Sequence, residues 1–524
     1  MGSSSTGPAV DSSSVAQLVE KVPGIHRLIQ CSEKRVGAPS HLPNECADNG
    51  LVILNVTGSH NDQSHSGPVR VIADRRIRSW HGQFVTGGSP WRLLRLAPQA
   101  AAFLTKLRTA GGVGLVPEPS DAKVATALIE RGLIHPMPSP RRGPHDVQVV
   151  VPAFGRPEAL DRCLTRLRGM NVIVVDDATP DRNCLREVAK RHGVAYMRFD
   201  ENRGPAAARN AGAVSSDAAF LAFVDSDCQP VGNWIDQLIP YFDDPKVGAV
   251  APRIVPIAGS VRLLERFEAT GSALDMGDVS ALVRPGARLG FLPSATLVVR
   301  RATLADGGFD ERMRLGEDVD LVWRLADAGW HVRYAPSVVV THEMRDTWGG
   351  WLKRRFEYGT SVAALEARHP GRLSPLRLSP WNAASLGLLA AGRPRTAAAV
   401  SGIAASLLTR QLRASEGTPD MAVSIVGMGL VADGLAIGHA LRREYWPIGA
   451  LALVAAPRFK PARTAVCLML LPLALEWVRE PRRLDPIRYA GLRLVADAAY
   501  GTGVLVSSWQ HRMINPIAPR FRRR

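Results

Sequence analysis

Cysteine is scarce: there are six in 524 residues, at 31, 46, 163, 184, 228 and 467, with no CxxC pair and no nearby Cys/His cluster. That spacing excludes zinc-finger and redox-motif chemistry and leaves reduced thiols in a cytosolic setting as the expectation. The N-terminus, Gly2 to Ser14, is polar and serine-rich and lacks an apolar core behind a basic start, so a secretory signal is not expected. An aromatic-rich RNA-binding signature and a helix-turn-helix pattern are also missing, which removes nucleic acid from the expected partners. Acidic residues are outnumbered, 48 Asp+Glu against 65 Lys+Arg, for a net charge of +17. Hydrophobic residues at 46% and charged residues at 22% exclude wholesale disorder and collagen-like or disulfide-stapled chains. At roughly 150 residues per domain, the length suggests about three folded units.

The positive excess admits nucleic acid, an anionic membrane surface or acidic small substrates as partners. Its placement helps to choose. The sequence ends Arg520-Phe521-Arg522-Arg523-Arg524, and arginine recurs between apolar stretches from about Lys353 onward. Basic residues flanking apolar helices fit a membrane face better than a nucleic-acid groove.

Five segments follow from the pattern. Residues 1–50 read as a disordered polar leader. Residues 51–135 read as a small α+β domain: short strands between Val69 and Leu96, then helices at Pro98–Thr109 and Asp121–Glu130, the second with Ser120 or Asp121 as N-cap. Strands followed by short helices suggest a winged-helix-like module, and Gly88 to Leu107 resembles the small peptide-binding domains of the pyrroloquinoline-quinone accessory type. A generic α+β cap is the alternative. A Pro/Arg-rich linker spans 136–146. Residues 147–370 alternate apolar runs (Val147–Val151, Val172–Val175, Ala195–Phe199, Phe220–Val224) with helical segments, the signature of a parallel sheet buried on both faces. Residues 371–524 are apolar, Ala/Leu-rich and helical.

Ligands of parallel α/β sheets bind beyond the carboxyl ends of the strands. Those ends carry Val151-Pro152-Ala153-Phe154-Gly155-Arg156, Val175-Asp176-Asp177-Ala178-Thr179 and Val224-Asp225-Ser226-Asp227, with the Gly/Pro turn Asn202 to Asn210 between the last two. A carboxylate in a pocket can accept the imide N–H of a uracil, and an aromatic ring can stack on its face. Two carboxylates at i and i+2 can hold a hard divalent cation that bridges phosphates. A lone Asp-x-Asp is usually a helix cap or a solvated turn. In order at successive strand ends, these signals reinforce one another.

Residues from about Gln148 to Gly359 resemble the family-two glycosyltransferases. The resemblance is carried by VPAFGRP, VVDDAT, NRGPAAARN, FVDSD, GGFDE and Leu315-Gly316-Glu317-Asp318-Val319-Asp320-Leu321-Val322-Trp323-Arg324-Leu325. It implies a GT-A, Rossmann-like α/β catalytic domain with a mostly parallel sheet. It implies that Pro152 and Phe154 line the base pocket, that Asp176 or Asp177 holds the base, that Asn202 and Arg209 lie near the nucleotide and that Asp225 contacts ribose or phosphate. Asp227 would bind manganese or magnesium, with His342, after a later buried strand, as a further ligand. Asp318, in the first turn of a helix beside Glu317, would be the general base, although acidic residues there also stabilise a helix dipole. The implied reaction is an inverting displacement on a UDP-sugar, giving a β-linked hexose. The whole arrangement is similar to the glycosyltransferases of mycofactocin systems, which implies glucose as the sugar and a modified, peptide-derived redox cofactor as acceptor. The alternatives are a transferase acting on lipid or cell-envelope glycans and a non-catalytic nucleotide-sugar-binding module.

Trp348 to Phe356 resembles the segment that closes over the donor or meets the membrane, and an amphipathic surface helix is the plainer reading. In the tail, several apolar runs fall short of the roughly 20 residues needed to cross a bilayer, and Asp433 and His439 interrupt the longest. Multi-pass insertion, interfacial helices and a soluble bundle all remain open. The Arg-rich connectors favour the cytoplasmic face of the cell membrane, with the cytoplasm as the alternative.

Overall fold

In the computed structural model, which describes residues 55–56, 69–257, 262–305, 307–343, 347–413, 415–479 and 484–522, the chain opens as a small α+β module. The leader expected at 1–50 lies outside the described residues. Strands β1 (Asn55–Val56), β3 (Arg78–Trp80), β4 (Phe84–Gly87) and β5 (Arg92–Leu96) form one sheet in the order β1-β5-β4-β3, while β2 (Arg70–Ala73) pairs antiparallel with β6 (Ile134–Met137). Pro136 and Met137, placed in the linker on sequence, therefore finish a strand. Helices α1 (Pro98–Thr109) and α2 (Ala122–Glu130) cover these strands. Phe103, Leu107, Val124 and Leu128 meet Val71, Val85 and Leu94 in a buried cluster. Proline opens α1, and Lys106 and Arg108 stand in its last turn, which suits the helix dipole. Asp121 is the N-cap of α2 but makes no side-chain cap bond.

β7 (Val147–Ala153) shows why the next segment becomes a sheet. Its sequence VQVVVPA is buried at every position, as expected of a strand covered on both faces. Around it, β9 (Ala195–Arg198), β8 (Asn171–Asp176), β7 and β10 (Phe220–Val224) lie parallel, in that order. The sheet continues through β14 (Thr296–Arg300), antiparallel to both β10 and β12 (Val247–Pro256). It then reaches β15 (His331–His342), parallel to β12, and finally β11 (Cys228–Pro230). A short β13 (Ala281–Val283) adds to β15.

Helices fill both faces. α3 (Pro157–Arg166) and α4 (Cys184–His192) pack with Val149, Val151 and Val174 on one side. α5 (Pro205–Val214) and α8 (Glu317–Asp327) pack with Val150, Phe223 and Val299 on the other, and two short helices, α6 (Trp234–Leu238) and α7 (Leu263–Gly271), lie between them in sequence. Among the described cysteines, Cys163, Cys184, Cys228 and Cys467 are all free thiols, as the spacing predicts. The small-residue face of α5 has a steric reason: a Cβ on Gly212 would run into the Val150 side chain.

The C-terminal third is helical: α9 (Trp348–Arg368), α10 (Pro380–Ala390), α11 (Pro394–Arg413), α12 (Pro419–Arg442), α13 (Trp446–Ala455), α14 (Lys460–Arg479) and α15 (Pro486–Gln510). α12 and α14 are long and apolar enough to cross a membrane by length and composition. The bundle is also pinned by buried charge. Asp433 of α12, fully buried, accepts from the Ser379 backbone N–H at 3.0 Å, the Asn382 amide at 2.8 Å and the Arg522 guanidinium at 3.0 Å. Arg442 lies 3.2 Å from Asp497 and 3.3 Å from Glu476. The chain end returns as β17 (Arg520–Phe521) beside β16 (Arg377–Leu378). Phe84 and Leu93 of the small module bury against Leu412, Met421 and Ala422, so module and C-terminal helices meet.

α9 and α15 approach closely at Gly359. An added Cβ there would strike the Tyr500 carbonyl oxygen and lie 2.9 Å from Val504 N and 3.0 Å from Gly503 Cα. Overpacking of this kind typically costs about 1–3 kcal/mol. Gly359→Ala is therefore expected to lower the urea midpoint of unfolding, while Gly349→Ala on the same helix, where a Cβ meets nothing within 4 Å, leaves it unchanged.

Candidate functional site

The site is assembled at the carboxyl ends of β7, β8 and β10. Pro152 is buried at the end of β7, and Phe154, the next residue but one, is 54% exposed. The backbone fixes this aromatic from both sides. Ala153 accepts from the Asp177 N–H at 2.9 Å, Gly155 N–H donates to the Thr179 hydroxyl at 2.9 Å, and Arg156 reaches Asp227 at 2.8 Å.

The two acids ending β8 do different work. Asp176 is fully buried and accepts from Thr179 N–H at 2.9 Å, the Tyr196 hydroxyl at 2.7 Å and Arg198. Burial opposes its ionisation, but the bonds from Thr179, Tyr196 and Arg198 outweigh burial and hold its carboxyl below the usual range. It braces β8 against β9, and its oxygens are already engaged. Asp177 instead gathers the following turn: Oδ1 accepts from Arg203 N–H at 2.7 Å and Oδ2 from Gly204 N–H at 2.9 Å. Burial pushes its carboxyl up. Gly204 takes φ 93°, a conformation that favours glycine, and α5 starts at the next residue. Asn202, exposed, donates to the Asp177 carbonyl at 3.2 Å and accepts from Arg314 at 2.8 Å.

α5 then carries Arg209 to the strand ends. Its guanidinium, with a side chain 4% exposed, bonds Asp225 at 2.7 Å and Glu317 at 2.9 Å, and stands 5.4 Å from the centre of the Phe309 ring. Glu317 and Asp318 open α8 after Gly316. Glu317 is pushed up by burial and by the charge of Asp318, which together outweigh Arg209. Burial also raises Asp318, whose oxygens accept from Val319 N–H at 2.8 Å and Ser294 N–H at 3.3 Å. Asp318 stays partly accessible, unlike its buried neighbour.

Asp227 faces His342 at 3.4 Å across the β11–β15 pairing, in which Cys228 stands opposite His342. Burial would raise the Asp227 carboxyl, but the bond and charge of His342, then the charge of Arg156, bring it down to about 2. Burial lowers the His342 imidazole, and Asp227 more than reverses this. Among the described residues, no group of three His, Cys, Asp or Glu side chains stands together to enclose an ion. Asp227 and His342 form a pair of donors.

Two residues were not read from the sequence. Arg156, inside VPAFGRP, faces Asp227, and Glu343, next to His342, accepts from Arg162 at 2.5 and 2.8 Å and from Gln229 at 2.9 Å. Only their adjacency to recognised residues signalled them.

Comparison with known proteins shows the family. Residues 148–286 match the family described as Glycosyl transferase family 2, and residues 220–475 match Glycosyl transferase family group 2. The chain is 35% identical over 471 residues, 86% of its length and 97% of the relative's, to the "Pre-mycofactocin glycosyltransferase" of Mycobacterium tuberculosis. The chain belongs to glycosyltransferase family 2. This family-2 enzyme is also 27% identical over 229 residues to "Glycosyltransferase AglE" of Haloferax volcanii, covering 41% of the chain and 71% of that relative. Among solved structures it is similar to the mannosyltransferase PcManGT from Pyrobaculum calidifontis in complex with GDP-Man and Mn2+. That match has a TM-score of 0.35 and 18% identity, covering 65% of this chain and 90% of the other. The mixed α/β sheet fits the GT-A fold expected of a family-2 glycosyltransferase.

The Asp227–His342 pair gives a testable pH dependence. The raised imidazole contributes stability that is complete below its ordinary value of 6.5 and is lost as pH rises through the folded-state value. The lowered carboxyl contributes stability present above 3.8 and lost only as pH falls through about 2. In metal-free buffer, the stability gap between wild type and His342→Asn is expected to be widest near pH 5–6 and to shrink above pH 7. Unfolding curves across that range measure it.

Proposed function

We propose that this family-2 glycosyltransferase is an inverting enzyme that moves glucose from UDP-glucose to a hydroxyl of a peptide-derived acceptor of the mycofactocin pathway, forming a β-linkage. The observation that supports it most is the convergence of Arg209, Asp225 and Glu317 next to the partly accessible Asp318 at the strand ends. The relative that spans 86% of this chain is named for pre-mycofactocin, which supports the acceptor.

In this reading Phe154 stacks on the base above Pro152, and Asp177 accepts the imide N–H, since each of its oxygens carries one bond within the fold whereas the fully buried Asp176 carries three, two of them on one oxygen. Asn202 keeps the Asp177 turn in place, and Asp225 meets the ribose or phosphate. Asp318 takes the proton from the acceptor hydroxyl as that oxygen attacks the anomeric carbon from the face opposite the leaving diphosphate. A carboxyl raised by burial is the stronger base for that step. Glu317 acts through Arg209, which it holds in place. Asp227 and His342 would hold a manganese or magnesium ion through an oxygen and an imidazole donor, and such an ion would supply positive charge for the donor diphosphate. Arg156, bonded to Asp227 in this structure, marks where positive charge is wanted. Such an ion, when bound, would screen the charge of the departing diphosphate.

Asp318→Asn is expected to retain donor affinity and to lose transfer by about 10²–10⁴-fold. Asp227→Ala is expected to weaken metal-dependent donor binding. A titration with UDP-glucose, alongside a hydrolysis screen of several nucleotide sugars with Mn2+ or Mg2+, checks both. Wild-type turnover by Asp318→Asn would remove the base assignment.

We further propose that the enzyme works at the cytoplasmic face of the membrane. α13 exposes Ile448 at 58%, Leu451 at 69% and Val454 at 77%, and exposed Arg458 and Lys460 follow them. Apolar side chains rimmed by cations suit an anionic lipid surface. The protein is expected to float with vesicles containing phosphatidylglycerol, and Leu451→Asp with Val454→Asp to shift it to the soluble fraction. Equal sedimentation with and without vesicles would contradict this.

A further inference from the structure

Three acids stand in the first turn of α8, Glu317, Asp318 and Asp320, and two of them are committed within the fold. Glu317 bonds Arg209. Asp320, fully buried, accepts from Arg324 Nε at 2.8 Å, Arg368 Nε at 2.6 Å and His369 Nε2 at 2.9 Å. Burial opposes its ionisation, but His369, Arg368 and Arg324 outweigh burial and hold the carboxyl far below its usual range. An ionised carboxylate only accepts, so Nε2 of His369 carries the proton of that bond. Asp318 is left. Its oxygens take backbone N–H groups, from Val319 in its own helix at 2.8 Å and from Ser294 at 3.3 Å.

Ser294 does not belong to α8. It lies near the end of the loop between β13 and β14, so the direction of the Asp318 carboxylate depends on how that loop sits against the helix. Trp323 of α8, 6% exposed, supplies a second tie: its indole N–H donates to the Gly290 carbonyl at 2.8 Å, four residues before Ser294. The His369 ring meets that indole edge-on, with centres 5.0 Å apart and planes at 86°. Asp320 and Trp323, three residues apart on one helix, present both contacts on one face. His369 follows α9, which is seated against the start of α8: a Cβ on Gly316 would lie 3.0 Å from Leu365 Cδ1 and 3.3 Å from Ser361 Cβ. One imidazole therefore touches the helix that carries Asp318 and the indole that holds the loop carrying Ser294. The contacts close a ring that runs from Asp318 through Ser294, Gly290, Trp323, His369 and Asp320 back along α8.

We propose that Trp323 and His369 are positioning residues for transfer, which together hold the Ser294 loop against α8 and so aim the Asp318 carboxylate. This rests on the reading of Asp318 as the base. A base acts only within hydrogen-bond reach of the proton it takes, and a displacement of about 1 Å can cost about 10²-fold in rate. Phe154 and Asp177 lie on other elements, so affinity for the donor does not depend on the ring.

The test is UDP release from UDP-glucose by the full chain in Mn2+, with water as the acceptor. Trp323→Phe keeps an aromatic ring but loses the indole N–H; kcat is expected to fall about 10–100-fold while KM for UDP-glucose stays within about twofold. His369→Phe, which keeps a ring edge against Trp323 but has no donor for Asp320, is expected to show the same split. His369→Gln, whose amide can still donate to Asp320, is expected to recover most of that kcat, although phenylalanine is the closer match for packing. The double variant of Trp323→Phe with His369→Phe is expected to be no slower than the slower single one, since both break one ring. Wild-type turnover by Asp318→Asn would remove the base reading itself. With Asp318→Asn inactive, wild-type kcat in Trp323→Phe and His369→Phe, a change confined to KM, or additive losses in the double variant would overturn the positioning proposal alone. Should Trp323→Phe fail to fold, the His369 variants decide: His369→Phe as fast as wild type, or His369→Gln no faster than His369→Phe, would overturn it.

Discussion

A single buried guanidinium holds the crevice together. Arg209 bonds Asp225 at the end of β10 and Glu317 at the start of α8, two elements far apart in sequence, and it is nearly sealed from water. Breaking a buried pair by removing one partner typically costs about 3–5 kcal/mol, because the remaining charge is left uncompensated. Here two carboxylates would be abandoned at once. Arg209 in turn depends on the turn that launches α5, which Asp177 holds through the Arg203 and Gly204 amides. The chain of dependence runs from the end of β8, through a glycine in a left-handed conformation, to a cation that sets the distance between Asp225 and Glu317.

Much of this was legible in the residues. The apolar runs of the central domain fall on β7, β8, β9 and β10 within a residue or two, because strands buried on both faces, as β7, β8 and β10 are, leave an unbroken apolar signature, while β9 is a half-exposed edge strand. The Asp225, Asp227, Glu317 and Asp318 signals were readable because each sits where an element begins or ends. Three things were not legible. The choice between Asp176 and Asp177 depends on which carboxylate meets Tyr196 and Arg198 on the neighbouring strand, a cross-strand contact that local pattern does not encode. The roles of Arg156 and Glu343 come from tertiary pairing with Asp227 and Arg162. The mixed part of the sheet, from β14 to β11, lacks the regular strand–helix alternation that made the first half plain.

The ends of the chain show the same limit from another side. Composition alone marks residues 371–524 as apolar and helical. It does not reveal that Asp433, which looks like an interruption of a membrane span, is the buried acceptor for Ser379, Asn382 and Arg522. Nor does it reveal that Phe84 and Leu93 of the module pack against Leu412 and Met421. Module, sheet and helices share buried surface.

The most direct measurement is a crystal structure of the enzyme with UDP and Mn2+. The account predicts the uracil against Phe154 with its imide at Asp177, the metal between Asp227 and His342, and Arg156 displaced from Asp227. A nucleotide bound outside the strand-end crevice, or a metal held by residues other than Asp227, would contradict it.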